Sequence, residues 1–129
     1  MSRHQLGDLQ LAIMRELWSE GEATVAEVHA RLLESHGLAL TTIATMLRKM
    51  EEKGVVDHRV EGRQFVYRAT VTERDVHRTM VGGLVERLFD GDVQALLCHL
   101  VDEGELDAKE LDAVRQVINR RKREGGHDD

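Results

Sequence analysis

Thr41, Thr42, Thr45, Arg48 and Lys49 recur at spacings that share one face of a helix, opposite Ile43, Met46, Leu47 and Met50. Three hydroxyls and two cations on one face suit a polyanion that also carries information. A threonine hydroxyl can bond a base edge or a phosphate, and its methyl can pack on a thymine methyl. The two cations a turn later can meet phosphate or guanine. Thr41 alone reads equally well as a helix-capping residue. The set of five is better explained by double-stranded DNA. Three more arginines follow, Arg59, Arg63 and Arg68, and Arg63 sits in the turn-like Glu61-Gly62-Arg63. A basic hairpin tip touches phosphates or enters a minor groove, although positive charge on a strand also discourages edge pairing. Arg59 and Arg63 join the candidate DNA contacts; Arg68, late in its strand, reads as structural.

Other chemistries find little support. The histidines (4, 29, 36, 58, 77, 99 and 127) and the single Cys98 form no Cys-x-x-Cys or His-x-x-x-His pair. Adjacent Cys98 and His99 would point in different directions from a helix, so no metal site is expected. No nucleophile–base pair and no phosphate-cradling glycine loop is present, which argues against an enzyme and against a cofactor. Gly82-Gly83 lies mid-helix, where it allows either a bend or a close helix crossing. No apolar run is long enough to span a bilayer and no signal peptide opens the chain. One cysteine suits a reducing compartment, so a cytoplasmic location is expected.

The net charge of −6 looks unfavourable for DNA until it is divided. Residues 1–70 hold nine basic and ten acidic side chains, whereas residues 71–129 hold nine and fourteen. Within 38–70 six basic residues face four acidic ones. Because screening limits charge effects to roughly 8 Å in physiological salt, the local excess matters more than the total.

These side chains need a scaffold, and the hydrophobic period supplies one. Leu9, Ala12, Ile13 and Leu17 mark a first helix from about Asp8 to Trp18, stopped by Gly21. Thr24 and Glu27 read as a capping box opening a second helix that ends near His36-Gly37. The third helix, about 41–53, ends at Gly54. The period then changes to two, with Val56, His58, Val60 and then Phe65 and Tyr67 on alternate positions, which predicts a two-stranded hairpin over 55–69. Three helices and a hairpin in this order make a winged helix-turn-helix, placed at 1–71.

The remainder, 72–124, reads as helical, with caps at Thr72, Asp92 and Asp107, and with 125–129 as a frayed tail. The fold class is therefore mainly α with a small β-hairpin wing and a C-terminal helical region. The basic run 120–123 complements the negative end of the last helix. Aliphatic residues here exceed what three short helices can bury: Met80, Leu84, Leu88, Val93, Leu96, Leu97, Leu100, Val101, Leu111, Val114 and Ile118. A homodimer would bury them and set two reading heads one DNA turn apart. The alternative is a bundle folded back on the first domain.

The ordered motifs resemble the penicillinase-repressor family (the BlaI, MecI and CopY group). They are GDLQLAIMRELW at 7–18, ATVAEVH at 23–29, TTIATML at 41–47, EKGVV at 52–56, EGRQFVYR at 61–68 and ALLCHLV at 95–101. The resemblance implies a dimeric winged-helix repressor of palindromic operators. It matches Thr41, Thr42 and Thr45 to recognition-helix positions and Arg63 to the wing tip. It also implies an inactivating protease or sensor as a further partner. Two features depart from it. The copper-responsive branch carries a C-terminal cysteine cluster, absent here. The β-lactam-responsive branch is cut at an Asn-Phe pair, where this chain has His99-Leu100. The competing expectation is a winged helix that only dimerises and binds protein.

Overall fold

A computed structural model describes residues 6–125; His4, His127 and most of the expected tail lie outside them. The chain runs α1 (Asp8–Glu20), β1 (Ala23–Thr24), α2 (Val25–His36), α3 (Leu40–Lys53), β2 (Val56–Glu61), β3 (Gln64–Ala69), α4 (Glu73–Phe89), α5 (Val93–Asp102) and α6 (Ala108–Gly125). It divides into two compact units between Gly83 and Leu84, inside α4.

The first unit is built on an aliphatic core. Ile13, Met14 and Leu17 of α1, Val28 and Leu32 of α2, and Ile43, Leu47 and Met50 of α3 are buried together. Each such side chain contributes roughly 1.5–3 kcal/mol on leaving water. Local signals set the ends of these helices. The Thr24 hydroxyl accepts from the Glu27 amide (3.1 Å), and the Glu27 carboxylate accepts from the Thr24 amide (2.8 Å), so two otherwise orphaned donors are satisfied. Gly54, at φ 90°, lets the chain leave α3 in a left-handed turn that a β-carbon would oppose.

The sheet has three strands, not two, in the order β1-β3-β2. β2 and β3 pair antiparallel from Val56↔Ala69 to Glu61↔Gln64. β1 adds Ala23↔Tyr67 and Thr24↔Val66 on the other edge of β3. Two residues carry no readable period, which hides β1 in the sequence. The hairpin is thereby anchored beside the start of α2. Trp18 Nε1 donates to the Val71 carbonyl (3.0 Å) and fixes the exit from the wing against α1.

The first turns of α4 belong to this unit. Val76 is fully buried in the core and Met80 packs against it, so the core continues past the 71/72 boundary read from the sequence. Met80 is therefore placed with the reading head rather than among the free aliphatic residues. Among the described residues a β-carbon on Gly82 would meet nothing within 4 Å.

The second unit comprises the rest of α4, α5 and α6. Asp92 caps α5 by accepting from the Ala95 amide (3.1 Å). Asp107 and Glu110 form a reciprocal capping box on α6, at 2.8 and 2.9 Å. Helix α6 continues through Gly125, one residue into the segment expected to fray. Neither α5 nor α6 has a buried residue. Leu84, Leu88, Val93, Leu97, Val101, Val114 and Ile118 are all exposed, and Leu96, Leu100 and Leu111 are half-buried.

Candidate nucleic-acid interface

Helix α3 turns its apolar stripe into the core and its hydroxyls and cations outward. Thr41, Thr42, Thr45, Arg48 and Lys49 are all exposed, while Ile43, Leu47 and Met50 are buried. The capping position is Ala39, which has no side-chain bond to give. Thr41 and Thr42 lie inside the helix instead, so capping does not account for them. Thr41, Thr42, Thr45 and Lys49 line a shallow depression together with Met46. Arg48 donates to the Thr45 hydroxyl (3.3 Å).

The wing approaches α3 from one side. Residues at alternate positions share a face, so Val56, His58 and Val60 lie with Phe65, Tyr67 and Ala69 across the β2–β3 pair. Tyr67 is buried, and that burial raises its phenol above the ordinary value. His58 Nδ1 donates to both Glu51 carboxylate oxygens, at 2.8 and 3.0 Å. The His58 ring also stacks on Phe65 with centroids 4.0 Å apart. One imidazole thus braces the wing against the C-terminal half of α3. The sequence places His58 on the hairpin, with no metal expected there; its bond to Glu51 is not readable, because that carboxylate lies on a different element.

Arg63 follows Gly62 in the two-residue hairpin loop. Gly62 has φ 63°, the conformation that a tight hairpin demands at its first central position. Arg63 and Arg48 line one cleft between the wing and α3. Five α3 side chains and the wing-tip arginine are therefore presented by one winged helix.

Arg59 is not brought together with them. It alternates onto the opposite face of the sheet with Asp57, Glu61 and Arg68. There it donates to Glu22 (2.6 Å) and Glu61 (3.0 Å), contacts that raise its own pKa further. The hydrogen bond from Arg59 holds Glu22 below the ordinary glutamate range. Arg68 does the same for Asp57 at 2.8 Å. These pairs are exposed, so their net worth is small, but they neutralise two of the three hairpin arginines. Among the described residues no group of three or more His, Cys, Asp or Glu is placed to hold a metal ion. No helix among them is long and apolar enough to cross a membrane.

The chain is similar to known proteins over most of its length. The penicillinase repressor family model matches residues 6–120. The transcriptional regulator BlaI of Mycobacterium tuberculosis is 38% identical over 117 residues, covering 88% of this chain and 83% of the relative. The penicillinase repressor of Bacillus licheniformis is 25% identical over 118 residues, covering 92% of each. Among solved structures, the DNA-binding domain of the repressor BlaI superposes with a TM-score of 0.51 at 34% identity. It covers 55% of this chain and 87% of that domain. The chain belongs to the penicillinase repressor family, whose members are DNA-binding transcriptional repressors.

Proposed function

We propose that this repressor binds a palindromic operator as a homodimer, with α3 in the major groove and the wing on the sugar-phosphate backbone. The observation that carries the reading is the outer face of α3. Its threonine hydroxyls are exposed and are not consumed by capping. Thr41, Thr42 and Thr45 read base edges from the first turns of the helix, where helix-turn-helix proteins make base contacts. Arg48, Lys49 and Arg63 neutralise phosphates. Arg59 is a weaker candidate, since Glu22 and Glu61 already hold it.

The second unit supplies the dimer contact. Its exposed aliphatic residues, among them Leu88, Val93, Leu97, Val101, Val114 and Ile118, form the kind of surface that marks association. Pairing two chains through it would space the reading heads roughly 34–36 Å apart, one DNA turn. The protein works in the cytoplasm, with an inactivating protease or sensor as a further partner. His99-Leu100 stands where the β-lactam-responsive branch has Asn-Phe, and Cys98 is the single cysteine.

The test is a gel shift on the DNA upstream of the protein's own gene, at low and at physiological salt. A discrete complex that survives physiological salt and resists competitor DNA is expected. Binding that vanishes at physiological salt would instead favour a protein-interaction module.

A further inference from the structure

We propose that the cleft between α3 and the wing binds a small apolar anion, an aromatic carboxylate, and that this ligand withdraws Arg48 and Arg63 from DNA. The cleft measures about 410 Å³, within the range of small-molecule sites, roughly 300–1,000 Å³. Its floor is apolar, formed by Val25 of α2, Leu40 and Ala44 of α3, and Phe65 and Tyr67 of β3. Two of these keep apolar surface open to solvent: Leu40 is 47% and Phe65 45% exposed. His58 already covers one face of the Phe65 ring, so the exposure lies on the remaining surface.

The same cleft is lined by Arg48 and Arg63. Among the described residues neither has an acidic partner, in contrast to Arg59 and Arg68 on the other side of the sheet. An apolar floor beside two guanidinium groups, of which Arg48 donates to a neutral hydroxyl, matches a ligand that is flat and apolar at one end and carboxylated at the other. A DNA phosphate satisfies the arginines but leaves the aliphatic and aromatic floor without an apolar partner. Ligand and phosphate therefore compete for the same two cations. The binding site stands apart from the operator reading, and only its coupling to DNA rests on that reading.

The test uses the full chain, uniformly labelled with ¹⁵N, titrated with 2-naphthoate and separately with the neutral 2-naphthamide. Saturable shifts are expected at the amides of Ala26, Leu40, Ala44 and Gln64 with naphthoate. The amide, and the variants Arg48→Gln and Arg63→Gln, should each bind about tenfold more weakly, the effect of one charge-assisted hydrogen bond. Leu40→Asn, at an exposed position, should weaken binding without removing a charge, and each variant's own spectrum reports whether it folds. Shifts that never saturate, that centre on α5 and α6, or that are equal for naphthoate and naphthamide would overturn the site. Saturating naphthoate should also weaken binding to the upstream DNA fragment. Unchanged DNA affinity at saturation would overturn the competition. A fragment that is not bound even without naphthoate would overturn the operator reading, while the amide shifts would still decide the site.

Discussion

Arg63 and Arg59 stand four residues apart on one hairpin, yet their surroundings assign them different work. Among the described residues Arg63 has no acidic partner, so a DNA phosphate could bind it without first breaking an ion pair. Arg63→Ala should weaken binding to specific and non-specific DNA alike and lower the slope of log K against log salt by about one unit. A salt titration by fluorescence anisotropy measures this. Arg59→Gln should leave that slope nearly unchanged and act on Glu22 instead. Because the Glu22 carboxyl is depressed by Arg59, the pair favours the folded state above the ordinary glutamate range. That contribution is lost as pH falls through the depressed value. Removing Arg59 should raise the Glu22 midpoint toward the ordinary value in a carboxyl NMR titration; an unmoved midpoint would show that the contact does not form in solution. The period-two pattern already separated Arg59 from Phe65 and Tyr67. Its partner Glu22 is 37 residues away, beyond what local pattern can show.

At the scale of elements, the helices and the wing were legible because burial imposes a period, and the caps because they use fixed residue types. Thr24, Thr72, Asp92 and Asp107 each bond the amide three residues on. Thr24→Ala should cost about 1 kcal/mol in denaturant unfolding, with the wing loosened as well, since Thr24 also pairs with Val66. A loss confined to α2, with the β1–β3 amides still protected from exchange, would separate the cap from the sheet edge. Features that depend on tertiary context were not legible. β1 exists only because β3 lies beside it, and Met80 looks like any other aliphatic residue of α4 until the core is seen to reach it. The cleft was invisible for the same reason: its walls come from α2, α3 and β3, and each wall residue has an ordinary local role.

At the scale of the whole molecule, an acidic protein is proposed to meet DNA through a small, locally basic surface, while its second unit exposes aliphatic side chains. If those side chains form the dimer contact, Leu97→Asp together with Ile118→Asp should convert dimer to monomer in sedimentation velocity. Both positions are about half exposed, so the single chain should keep its helices. Operator affinity should fall steeply, because each half-site would then be bound independently. A double variant that still sediments as a dimer would move the contact elsewhere.

The central claim is that the outer face of α3 reads base sequence. Its most direct test is the ratio of affinities for the upstream operator and a scrambled duplex of equal length, compared between the parent protein and Thr42→Ala at one salt concentration. The account predicts that the ratio collapses toward one while the scrambled affinity barely changes, because Thr42 carries no charge. A ratio that is unchanged, with both duplexes bound as before, would contradict it.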